Sequence, residues 1–305
     1  MTVSCGVVLA EATDTPATCL RNADMAMYRA KELGRARTEL FNRAMHQRAA
    51  RLLDLESALR QALEHDDLTL AYQPIVKLAD GSVVGVEALL RWVHPTRGEV
   101  SPKEFVGVAE QSGLIVPLGR WVVEQAVEQI IHWRGTLPSA DEVMVSINLS
   151  SQQLSADLVA LCELLLHRSG APNAFAFEIT ESVIMADVEY AISVLRRLHQ
   201  LGIPVAIDDF GTGYSSLEYL KRLPVSALKI DASFVDGLGR DPLDPSIVQA
   251  IVGLARALGM QTCAEGVETG EQLESLIGLG CELGQGYYWS QPLAPADFEQ
   301  WYLAR

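Results

Sequence analysis

Two adjacent carboxylates, Asp208 and Asp209, end the apolar run VAI in the stretch VAIDDFGTGYSS at 205–216. Two acids at the end of a buried strand are costly to desolvate unless a cation compensates them. A divalent metal ion is the simplest such cation. Glu87, Asn148, Glu178 and Glu265 fall near the ends of other β-type runs, and Lys229 lies in one more. This donor set is all oxygen, with no His or Cys, which favours Mg²⁺ or Mn²⁺ over Zn²⁺. Five acids among those six donors point to two ions, an arrangement suited to in-line hydrolysis of a phosphate ester. The six histidines (His46, His65, His94, His132, His167 and His199) are scattered without a ligand motif and read as structural or surface residues.

The elements that must position these groups follow from hydrophobic periodicity. Strand patterns fall at 68–76, 83–91, 143–149, 174–179, 203–208, 227–230, 260–265 and 282–287. Helical patterns at 121–133, 156–168, 189–201, 245–258 and 271–279 separate most of them. The alternation predicts an α/β protein, a closed (β/α)8 TIM barrel. The first two strands are joined only by Leu78-Ala79-Asp80-Gly81-Ser82. That is too short for a parallel crossover and carries a hairpin turn signal, so the first strand is expected to run antiparallel.

Period-two alternation assigns the inward face. Val143, Val145, Ile147 and Leu149 share one side of their strand, and Ser146 and Asn148 the other. Glu87 is in phase with Gly85, Leu89 and Arg91; Glu178 with Ala176; Asp208 with Ala206; Lys229 with Ala227 and Asp231; Glu265 with Cys263. Six strands thus place a polar group near their C-terminal ends above a small residue, at the end where barrels of this class carry out chemistry. Lys229 has two readings. A neutral amine would form a Schiff base in a lyase; a charged one, which the surrounding carboxylates favour, would orient water or stabilise developing charge. Arg91 suits either a phosphate oxygen or a salt bridge to a site carboxylate.

Acids number 39 against 24 Lys plus Arg, a formal net charge of −15, which argues against non-specific DNA binding or a polybasic membrane contact. Five scattered cysteines without a paired motif favour a reducing cytoplasm. The sequence shows neither a signal peptide nor a spanning apolar run, although a longer parent protein could carry a membrane anchor. Three segments are expected: 1–42, a strand and an amphipathic helix at 20–31; 43–66, a connecting helix with Leu52, Leu55, Leu59 and Leu63 at helical spacing; and 67–305, the barrel.

The residues at 1–42, SCGVV followed by RNADMAMYRAKELGRAR, resemble the last strand and helix of the GGDEF family of diguanylate cyclases. The nucleotide-binding loop of that family would lie upstream, so the resemblance implies a non-catalytic remnant. A plain helical extension of the barrel describes the same residues.

From about 66 to 303 the chain resembles the EAL family. The resemblance rests on Glu87-Ala88-Leu89-Leu90-Arg91, with Tyr72-Gln73-Pro74-Ile75-Val76, Ser146-Ile147-Asn148-Leu149-Ser150, Glu178-Ile179-Thr180-Glu181, the 208–216 stretch, Leu228-Lys229-Ile230-Asp231, Ala264-Glu265-Gly266-Val267-Glu268 and Gln285-Gly286-Tyr287 in order. Lys77 is a peripheral departure, standing where an acid is common. The resemblance implies a cyclic di-GMP phosphodiesterase releasing linear pGpG. By it, Glu87, Asn148, Glu178, Asp208, Asp209 and Glu265 hold metal, and Lys229 engages the catalytic water. Gln73, Leu89, Arg91, Asp231 and Gln285 lie along the substrate, and the 209–216 loop and Glu268 are tied to metal occupancy and to a homodimer. Some relatives have lost these residues and are inactive, so a non-catalytic cyclic di-GMP receptor is the alternative; no such loss occurs here.

Overall fold

Small residues let the first elements pack closely. Strand β1 (Cys5–Val7) leads through helix α1 (Pro16–Glu32) to strand β2 (Thr38–Leu40), which pairs parallel to β1. A Cβ on Gly6 would overlap the α1 backbone at Ala23 and Met27, so glycine permits that approach. Thr15 caps α1, accepting the Thr18 N–H, and Pro16 opens it. Helix α2 (Arg43–Ala62) follows an Asn42 cap, with Leu55 and Leu59 buried. The computed structural model describes residues 2–10, 14–34, 36–65, 67–169, 174–213, 217–240 and 243–305. The chain divides into two compact units, Met1–His65 and Asp66–Arg305.

The second unit opens with strand β3 (Leu68–Lys77), antiparallel to strand β4 (Val83–His94). Their hairpin forms as its sequence dictates: Asp80 accepts the Ser82 N–H at 2.8 Å, and Gly81 takes a φ of 73°. A short strand β5 (Gly98–Val100) extends the hairpin, and helices α3 (Pro102–Ser112) and α4 (Ile115–Thr136) follow. Strand β6 (Met144–Leu149), helix α5 (Ala156–Ser169), strand β7 (Phe175–Thr180), helices α6 (Glu181–Ala186) and α7 (Val188–Gln200), and strand β8 (Val205–Phe210) continue the alternation. Helix α8 (Leu217–Leu220), strand β9 (Ala227–Ile230), helices α9 (Ala232–Asp236) and α10 (Asp244–Leu258), and strand β10 (Gln261–Ala264) come next. Helix α11 (Gly270–Leu279), strand β11 (Leu283–Gly284) and helix α12 (Pro295–Leu303) complete it.

Eight strands close a barrel in the order β3-β11-β10-β9-β8-β7-β6-β4, sealed by the β3–β4 pairing. Only β3 among them runs against its neighbours, pairing antiparallel with both β4 and β11. The apolar core lies between barrel and helices, where Ile147, Phe177, Ile207 and Leu228 meet residues such as Val123, Leu195 and Val252. Trp133 of α4 packs edge-on to Tyr72, ring centroids 4.8 Å apart, and against Phe298 of α12 at 4.5 Å.

Several elements depart from the periodicity. The final strand is two residues long rather than six, although Gln285 N–H still donates to Ala264 O at 2.9 Å. Strands β2 and β5 and helices α3 and α12 carried too weak a pattern to read. β5 forms because His94 Nδ1 accepts the Thr96 and Arg97 N–H groups and turns the chain at Pro95.

Candidate active site

The charged centre is built from strand ends, each contributing by its phase. Glu87 from β4, Glu178 from β7 and Lys229 from β9 are buried, and Asp208 from β8 and Glu265 just beyond β10 are half-buried. The Lys229 Nζ contacts Glu178 Oε2 and lies 2.6 Å from Glu265 Oε1, 3.2 Å from Asp208 Oδ1 and 3.5 Å from Glu87 Oε2. Amides complete it. Asn148 Nδ2 donates to Glu87 Oε1 at 2.6 Å, and Gln285 Nε2 to Glu87 Oε2 at 2.6 Å and Glu265 Oε1 at 3.2 Å.

Strict alternation would turn Asp209 away from Asp208. A register irregularity between Ile207 and Phe210, with Asp209 at a φ of 52°, brings it back. Asp is among the few non-glycine residues that tolerate this left-handed conformation. Ligand oxygens of Asp208, Asp209 and Glu265 then all lie within 4.8 Å of one another, a group that could hold a metal ion.

Electrostatics follow from burial and crowding. Burial opposes the Lys229 charge, but Glu178, Glu87, Glu265 and Asp208 outweigh it and raise its pKa well above the ordinary lysine value. Burial pushes Glu178 up to about 7 and Glu265 up to about 8, with neighbouring acids adding to it and Lys229 opposing. Burial also acts to raise Glu87, yet Lys229 and the bonds from Gln285 and Asn148 hold it below its usual range. Asp209 is raised by burial and by Asp208 and Asp231 beside it.

The residues fit divalent ions. Five carboxylates face one ammonium, so full ionisation leaves four negative charges in excess. Asp208 Oδ1 and Gln285 Oε1 are closed off from solvent and accept no hydrogen bond among the described residues, although the Lys229 Nζ is 3.2 Å from the former. The donor atoms are the hard oxygens that Mg²⁺ or Mn²⁺ prefers.

Beside this centre lies a groove of about 740 Å³, lined by Gln73, Leu89, Arg91 and Asn148 among others. Arg91 is half-buried and donates to Leu90 O at 3.0 Å, its guanidinium held on the groove wall. Gln285 and Asp231 lie off that wall. Gln285 is buried within the charged centre, and Asp231 caps α9 by accepting the Ser233 N–H at 3.0 Å.

Glu268 is exposed beyond β10, and its N–H donates to Gln272 Oε1 at 2.8 Å. Among the described residues of the loop after Asp209, Gly211 and Gly213 meet the carboxylate of Glu181, at the start of α6. It accepts the Gly211 N–H at 3.4 Å, and a Cβ on Gly213 would overlap Oε2. The available signal was the second acid of E-I-T-E, three residues after Glu178. Residues 214–216 of the loop lie outside the described residues.

Residues 56–292 match the model of the EAL domain. The chain belongs to the EAL domain family. This EAL protein is 40% identical over 302 residues to the cyclic di-GMP phosphodiesterase PdeR of Escherichia coli strain K12, covering 98% of this chain and 45% of PdeR. It is 42% identical over 289 residues to the cyclic di-GMP phosphodiesterase NbdA of Pseudomonas aeruginosa, covering 93% of this chain and 36% of NbdA. The chain thus spans less than half the length of these curated relatives. Among solved structures, the c-di-GMP complex of the PaMucR phosphodiesterase superposes with a TM-score of 0.76 at 43% identity, covering 80% of this chain and 99% of that one.

Proposed function

We propose that this EAL protein hydrolyses cyclic di-GMP to linear pGpG with two Mg²⁺ or Mn²⁺ ions. The observation that carries the reading is the undiminished oxygen-donor centre around Lys229, adjoining a groove walled by Gln73, Leu89 and Arg91. Glu87, Asn148, Glu178, Asp208, Asp209 and Glu265 would hold the ions. Bound there, the ions supply polarisation of a phosphoryl oxygen and a water of lowered pKa. Arg91 supplies a paired donor for a phosphate oxygen and fixes the ring in the groove. Lys229, an ammonium tied to four carboxylates, is a donor rather than a base; it holds the attacking water and offsets charge developing at phosphorus. The same carboxylates favour the protonated form over the neutral amine that a Schiff-base lyase needs. Water's oxygen bonds to phosphorus, the bond to the 3′ oxygen breaks, and the water's proton ends on the new 3′-hydroxyl.

The test is incubation with cyclic di-GMP and Mg²⁺ followed by chromatography. Appearance of pGpG is expected. Binding without turnover would make the chain a receptor, and neither would end the reading.

The reading extends to the remaining segments. The match to PdeR covers 98% of this chain, so it reaches into 1–42, which we read as a GGDEF remnant joined to the barrel by the helix at 43–66. The resemblance to the family also implies a homodimer through the barrel, which sedimentation would detect. The cysteines Cys5, Cys19, Cys162, Cys263 and Cys281 are free, which supports a reducing, cytoplasmic setting. No helix among the described residues is long and apolar enough to cross a membrane.

A further inference from the structure

Glycine inside a helix is unfavourable relative to alanine, and most helix-interior glycines here have no packing reason. A Cβ on Gly107, Gly135, Gly253 or Gly278 would meet open space. Gly119 of α4 differs: its missing side chain is replaced by the amide of Gln153, whose Nε2 and Cδ a Cβ would overlap. Gln153 is buried, and its Oε1 accepts the Ser150 N–H at 2.9 Å while its own N–H donates to Ser150 O at 3.1 Å. Those two bonds close the segment that follows Asn148 into a fixed loop. Gln152 ties the same loop to α3, donating to Glu110 O at 2.8 Å.

Gln153 and Gly119 also form a partition. Both line the 740 Å³ groove beside the charged centre and a second cleft of about 540 Å³ between α4 and α5. Ser150 lies on the groove wall, and its Oγ is closed off from solvent with no hydrogen-bond partner among the described residues. The position of that hydroxyl is set by the backbone bonds that Gln153 makes.

We propose that Gln153 is a positioning residue for the cyclic dinucleotide, setting the Ser150 wall of the groove, and that Gly119 is present to seat its amide. This rests on the reading of function given above. Gln153→Met fills the seat but removes the acceptor, and Gly119→Ala keeps the acceptor but displaces it. Both should raise KM for cyclic di-GMP by about tenfold, the order of one lost hydrogen-bonded contact, with kcat within about twofold. Mg²⁺ affinity should be unchanged. Gln153→Glu, which keeps an acceptor, should restore much of the KM. In Gly119→Ala combined with Gln153→Ala the overlap is gone, so thermal stability should recover while KM stays high. Wild-type KM in both single variants, or a fall in kcat and Mg²⁺ affinity without a change in KM, would overturn the role alone. An unsubstituted protein that neither binds nor cleaves cyclic di-GMP would overturn the functional reading and the role with it.

Discussion

At the scale of residues, Lys229 and Glu87 have separable effects. Glu87→Gln keeps the shape but removes a ligand charge, so metal affinity and turnover should both fall. Lys229→Met removes the one cation among five carboxylates. Metal affinity should persist or tighten while single-turnover rates drop by roughly 10²–10⁴, the range for a lost proton-transfer or positioning group. Calorimetric titration beside rapid-quench kinetics measures both; near wild-type turnover in Lys229→Met would remove it from the mechanism. A second expectation concerns pH. Glu178 and Glu265 are raised to about 7 and about 8 when folded, so the folded chain keeps protons there that the unfolded chain has lost. Their stabilising contribution is complete below the unfolded carboxyl pKa and is lost as pH rises through those values. The melting temperature of chelated protein should therefore fall between about pH 5.5 and 8.5, and saturating Mg²⁺ should flatten the fall, as differential scanning fluorimetry would record. Most of these groups were legible because strand period two puts Glu87, Asn148, Glu178, Asp208 and Lys229 on one side of their strands. Glu181 was not, because it opens a helix and reaches the loop through tertiary packing that no period records.

At the scale of elements, the β8 irregularity decides whether the centre has one acid or two from that strand. Asp209→Asn keeps a residue that tolerates a φ of 52° while removing charge, so the fold should stand and metal affinity should fall. Asp209→Val adds backbone strain to the same loss and should cost a further 1–3 kcal/mol or so of stability. Urea unfolding alongside metal titration separates the two; equal stability of both variants would show that the conformation is not strained. The bulge itself was hidden, since a sequence gives adjacent acids without giving the twist that turns both inward. The β3–β4 hairpin was legible because five residues cannot span a barrel and Asp80-Gly81 makes a turn. The last strand was overextended because Gln285 and its neighbours continue the hydrogen-bonded ladder past the two residues of β11.

At the scale of the molecule, purified chain given GTP should yield no cyclic di-GMP if 1–42 is, as proposed, only the last strand and helix of a GGDEF domain; nucleotide chromatography would reveal any synthesis and overturn that reading. The barrel was legible as a whole because eight runs alternate with helices, whereas short edge pieces such as β2 and β5 carry too few residues to make a period. The reversal of β3 has a geometric consequence. Leu68 pairs with Trp92, beyond Arg91, so the strand begins at the rim that carries Arg91 and ends at the floor. In a barrel with every strand parallel, the first would begin at the floor, a full strand length from the charged centre. Here the strand enters the barrel at the rim, five residues from Gln73 on the groove wall, so the first residues of the barrel and the wall of the groove share one edge.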